Sequence, residues 1–286
     1  MNEAPKIESD PFGKDEHAIE MLHFYHREVE ILARIRPVLV AKQGAIWGSL
    51  LPMYHSLVET CMSIEILGSR CMMRDCYVLA RTAFETAVNI CFICAIGEEA
   101  ANRAKRHAIQ KSYRDLQREL DVNGIKLELS WSGANSVQRS PELQQALDEY
   151  TGRNGREITS WTPETVKQQL EVIERVFGDS VATHLVFGLL SIYRHASEIA
   201  HGTLFGALFA LGLTRVDGGP KSERDMCLQR NAALIMVLMI TGLCLHATIR
   251  VLSRDLDIDD VVIDSTACVN GLHTLSMFLK DDKTTQ

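Results

Sequence analysis

The sequence predicts an all-α protein: a multi-helix bundle of about eight helices with an irregular middle insertion. Three observations predict this. Apolar residues recur at helical spacing through most of the 286-residue chain. Gly, Pro, Ser and Thr stand at the points where helix caps and breaks belong. No segment stands out with the period-two alternation of a half-buried strand.

Taken in order, residues 1–15 are polar, lack the apolar stretch of a signal peptide and read as a flexible N-terminus. A single helical domain is expected over 16–280, with a flexible tail at 281–286. Glu16–Arg36 interleaves apolar residues with charge, as an amphipathic helix ending at Pro37. Gln43–Leu67 is a long apolar helix that Gly68 and Ser69 break. Asp75–Ile96 is the most buried-looking helix of the first half, ended by Gly97. Glu98–Leu120 carries the densest run of basic residues, interleaved with acidic ones as on a solvated face.

Residues 121–162 are rich in Gly, Asn and Ser, and read as an irregular insertion with one short helix after Ser140-Pro141. Thr162 as N-cap and Pro163 at the first position then open a helix that Gly178 ends. Val181–His201 follows. After a loop, GLTRVDGGPKSERD, Ser222 caps a long helix to about Arg254, and Val261–Lys280 is the last helix.

The bulk numbers exclude several function classes. A net charge of -7 gives no global basic field for nucleic acid, so RNA contact would need a local patch. At 6% aromatic residues, a stacking platform for single strands is not expected. Of eight Cys, only Cys91 and Cys94 have CxxC spacing. They lie in an apolar helical run without a second pair, so they read as small hydrophobes, not zinc ligands. Cys71 and Cys76 read the same way, and unpaired buried thiols suggest a reducing cytoplasm. The longest apolar run, Ala232–Leu245, is short for a membrane span and reads as a buried helix.

One stretch concentrates chemistry: YRHASEIAHG, Tyr193–Gly202, inside an apolar segment. At about 100° per residue, Arg194, Ser197, Glu198 and His201 share one helix face, and His195 flanks it. The apolar neighbours suggest that this face meets other helices. In the first half, RTAFE places Arg81 and Glu85 one turn apart on another apolar helix. These two either pair with each other or cross-pair, Arg81 with Glu198 and Glu85 with Arg194. The two helices are therefore expected to be neighbours.

RHASEIAH, with Arg194, the polar His195 and then His201 after six intervening residues, resembles the R-x4-6-H motif of HEPN domains. The resemblance implies an all-α bundle, often dimeric, acting as a metal-independent ribonuclease in prokaryotic defence or toxin systems. RTAFE early and YRHASEIAHGT late, over roughly residues 45–250, also resemble a bacterial family of uncharacterised helical domains. On the HEPN resemblance, Arg194 binds the scissile phosphate and His201 serves as general acid or base. Tyr193, His195, Ser197, Glu198, Arg81 and Glu85 support them. No cofactor or metal is expected. The partners expected are RNA, a second copy of the chain and a protein from the same operon, with no membrane.

Other readings compete. Glu20/His23 and Glu198/His201, with Glu59 and Glu85, resemble a di-metal carboxylate set, but in the wrong chain order and with Arg194 beside it. Ser197 and His201 lack a nucleophile elbow. A non-catalytic helical interaction or regulatory module, with the Arg/Glu/His cluster as a structural polar core, is the main alternative. Its apolar stretches, Leu204–Leu213 and the helix from Ala232, would then form a homodimer seam.

Overall fold

A computed structural model describes residues 16–131, 140–211, 213 and 222–281, with side chains as far as residue 271. The expected flexible segment 1–15, and residues 282–286 of the expected tail, lie outside the described residues, as does most of the loop expected from Gly212. The protein is an all-α helical bundle with one small hairpin.

In chain order the elements are α1 (Glu16–Ala33), α2 (Arg36–Ala41), α3 (Ala45–Ser69), α4 (Met73–Ile96) and α5 (Glu98–Asp115). Strands β1 (Gln117–Val122) and β2 (Ile125–Ser130) follow, then α6 (Pro141–Glu149), α7 (Val166–Phe177) and α8 (Asp179–Gly188). A π-helical turn, Leu189–Tyr193, leads into α9 (Arg194–Ala200). The remaining helices are α10 (Leu204–Ala210), α11 (Glu223–Leu256) and α12 (Asp259–Asp281).

Several boundaries differ from expectation for local reasons. Pro37 does not end α1; it sits in the first turn of α2, where a missing N–H is tolerated. Gly68 stays helical in α3, packed 3.4 Å from Leu234 as measured to the Cβ it lacks, and the break falls at Arg70–Met72. Cys71 is not a core residue but a half-exposed turn residue at φ 53°. The cap of α7 is Thr165, not Thr162: Thr165 and Gln168 form a reciprocal capping box. Thr162 is instead buried, its hydroxyl within reach of Arg103 and Glu164. Gly97 and Gly178 end α4 and α7 as expected, at φ 84° and 87°. Ser222 caps α11, accepting from the Asp225 amide at 3.1 Å.

The middle segment departs most. In place of an irregular stretch, β1 and β2 pair antiparallel from Gln117↔Ser130 to Val122↔Ile125. The turn is Asn123-Gly124, with φ 52° and 87°, as a two-residue type I′ turn requires. Nor is α5 solvated on all its basic side, though Lys105 is exposed. Its bases are committed to the segment that follows: Arg103 to Glu164, Lys105 to Glu142, Arg106 to Glu149 and Lys111 to Glu157. These pairs dock α6 and the 157–164 loop onto α5, and they leave that basic run engaged with carboxylates.

The core gathers α1, α3, α4 and α11 at the centre, with α7, α8, α9 and α12 around them. Helices α4 and α11 are each long and apolar enough to cross a membrane by length and composition, and here they pack against each other, α11 largely buried. The helix from Ala232 is therefore interior, not a dimer seam: Val237, Leu238, Cys244, Leu245 and Leu252 are fully buried. Burial pushes the Cys91 thiol up to about 12, so it packs as a neutral hydrophobe.

One polar string crosses this core. Ser265 on α12 donates to Glu28 on α1, and its oxygen lies 2.8 Å from Nδ1 of His246 on α11. Glu28 is fully buried, and its other oxygen has no partner among the described residues. Desolvation raises its pKa to about 7, against the hydrogen bonds that lower it.

Candidate functional site

Four features of the chain place YRHASEIAHG. Gly188 lets α8 press against α4 and α11; a Cβ there would lie 2.4 Å from Phe84 and 3.0 Å from the Cys244 sulfur. The π turn then widens the helix just before Arg194, a device that recurs at functional positions. Gly202, at φ 64°, reverses the chain so that α10 returns beside α9. Gly206 permits the contact: a Cβ there would lie 2.5 Å from the Glu198 carbonyl oxygen.

The structure brings α4 against α9, and Arg81 and Tyr193 meet between them. Arg81 Nε donates to Glu85 Oε1 at 3.0 Å, so the α4 pair closes on itself and neither cross-pair forms. The Arg81 guanidinium also stacks 4.4 Å over the Tyr193 ring and reaches its hydroxyl at 3.4 Å. Tyr193 in turn packs edge-on to buried Phe84. Arg81, Glu85 and Tyr193 thus form a brace behind the start of α9.

On α9 itself the polar residues divide by environment. Arg194 and His201 are exposed, contrary to the expectation that their face meets other helices. They are seven residues apart, about 10 Å along the axis and on one face. Ser197 and Glu198 are half-buried between them. Glu198 Oε2 accepts from the Thr203 hydroxyl at 2.8 Å. The same hydroxyl caps α10 by accepting from the Gly206 amide at 3.0 Å. Arg194 makes no ion pair or hydrogen bond among the described residues, so its guanidinium is available to an anion. Thr203 was missed in the sequence, though its place after Gly202 and three residues before Gly206 is an N-cap signal.

His195 lies off this face. Its ring stacks on Phe209 with centroids 4.2 Å apart and planes 8° apart. Burial, and then the Arg194 charge, lower its pKa, which favours the neutral ring. Its role is to pin α9 to α10. The alternative carboxylate set is not assembled: Glu20 pairs with His17, Glu59 with His55 and Glu85 with Arg81, each within its own helix. Among the described residues no group of three or more His, Cys, Asp or Glu is placed to hold a metal.

Fold and site define a class: an all-α bundle that presents an Arg/His face on a short surface helix, braced from behind by an Arg–Glu–Tyr contact. The chain belongs to the DUF5677 family, a family of unknown function, which matches residues 49–218 and so spans α3 through α10. No curated protein and no solved structure matches it.

Proposed function

We propose that the protein is a HEPN-like, metal-independent endoribonuclease, a cytoplasmic effector of prokaryotic defence or toxin type. The observation that carries this reading is the uncommitted Arg194 on the same exposed face as His201, with Glu198 held by Thr203. Arg194 binds the scissile phosphate and offsets the charge that builds up in the transition state. His201 moves a proton, either from the attacking ribose 2′-OH or to the leaving 5′-oxygen. The new bond is 2′-O–P and the broken bond is P–O5′, giving a 2′,3′-cyclic phosphate and a free 5′-hydroxyl. A homodimer would carry two such faces, one on each copy.

A second reading, a non-catalytic interaction or regulatory module, is favoured by exposed Phe187 and Leu190 on the approach to Arg194. Cleavage of a mixed RNA substrate by wild type, Arg194→Ala and His201→Ala decides between them. The ribonuclease reading expects loss of about 10²-fold or more in each variant. Three folded and equally inert proteins would favour the module.

A further inference from the structure

The β1–β2 hairpin has an apolar face that nothing in the described protein covers. Register places Leu120 opposite Leu127 and Val122 opposite Ile125, with Leu129 next along the same face. Trp131 extends this face: its amide donates to the Leu116 carbonyl at 2.9 Å, continuing the ladder. These six side chains, Leu120, Val122, Ile125, Leu127, Leu129 and Trp131, are 51–65% exposed. The opposite face carries Glu119, Asp121, Lys126 and Glu128.

An isolated two-stranded hairpin is marginal in water and needs its apolar face packed to hold its shape. The six side chains leave on the order of 700 Å² open, above the ~300–600 Å² of the largest patch on a typical monomer and close to the ~800 Å² each partner buries in a stable interface. A two-fold pairing of this face would therefore reach a standard interface from the hairpin alone. The one charge on the face, Arg118, is paired back toward the helix with Asp115. The opposite face is net acidic, which disfavours an anionic lipid surface. Residues 132–139, which follow Trp131 in the sequence, read SGANSVQR and are polar.

We infer that this face is a self-association surface, occupied by the same hairpin of a second copy of the chain. It is separate from α9 and does not rest on the ribonuclease reading. Light scattering on the full chain tests it. At about 50 µM the wild type should show twice the 32.0 kDa chain mass. Leu127→Glu should shift it to the single-chain mass, while Glu128→Lys, on the opposite face, should leave it doubled. If Leu127→Glu loses its helical circular dichroism, replacing residues 117–130 with a short Gly-rich link makes the same test, because Leu116 and Trp131 are already adjacent. A wild type of single-chain mass at this concentration overturns the inference and hands the face to another partner. So does a doubled mass that survives both changes. RNA cleavage is read separately, so either idea can fail alone.

Discussion

Thr203 Oγ1 donates to Glu198 Oε2 at 2.8 Å, and this contact takes from Arg194 its natural partner one turn away. Thr203→Val should have two separable effects. Loss of the α10 cap should lower stability by about 1 kcal/mol. Release of Glu198 to pair with Arg194 should lower RNA cleavage. Adding Glu198→Gln should restore cleavage and leave the stability loss in place. Denaturant melts and cleavage rates on the single and double variants check this; cleavage lost and not restored would mean that Thr203 acts on the site in another way.

Arg194→Ala and His201→Ala should be nearly silent in stability, within about 0.5 kcal/mol of wild type, because both side chains are exposed. A loss of several kcal/mol in either would mark it as structural and remove the main support for catalysis. Urea melts run beside the cleavage assay give the answer.

Gly188→Ala should destabilise by about 1–3 kcal/mol, since the added carbon would overlap Phe84 and crowd Cys244. Phe84 is fully buried and also supports Tyr193, so the change should reach the brace behind α9. A thermal melt indistinguishable from wild type would show that α8 can shift freely against α4.

Glu28 gives a pH dependence whose sign is fixed by its raised pKa. An ordinary carboxyl ionises near 4.5, whereas Glu28 ionises near 7. Between these values the folded protein holds a proton that the unfolded chain has lost. Its contribution is therefore fully present at low pH, falls as pH rises from about 4.5 to 7, and is gone above that. Glu28→Gln keeps the shape and cannot ionise. Relative to wild type it should gain on the order of 2–3 kcal/mol between pH 4.5 and pH 8. A variant-minus-wild-type difference that stays flat across that range would place the folded carboxyl at its ordinary pKa.

Many of the helices could be read from the sequence because an apolar segment ends or begins at a cap or glycine, as with Ser222 and Gly178. Sequence reading failed where two signals competed. Asn123-Gly124, between ELDV and IKLELS, is a strong hairpin signal, yet the Gly- and Ser-rich residues after it hid the alternation. The bases of α5 looked solvated because their carboxylate partners lie some 37 to 61 residues on, from Lys105 and Glu142 to Arg103 and Glu164. At the site, helical arithmetic grouped Arg194, Ser197, Glu198 and His201 on one face. It could not tell that Arg194 and His201 are open to water while Ser197 and Glu198 are half-buried, because exposure depends on where α10 returns. That path is set by Gly202 and Gly206, whose importance lies in what a Cβ would strike.

The π turn at Leu189–Tyr193 carries a consequence for chain length. It holds about one residue more than an α turn would. Deleting one residue there would let α8 and α9 run as one regular helix and would turn everything after it by about 100°. Either Arg194 and His201 would swing off their present bearing or α10 would lose its seat on Glu198. The direction in which this surface points is thus recorded in a residue count, and a single-codon deletion would rewrite it without changing the identity of any side chain on α9.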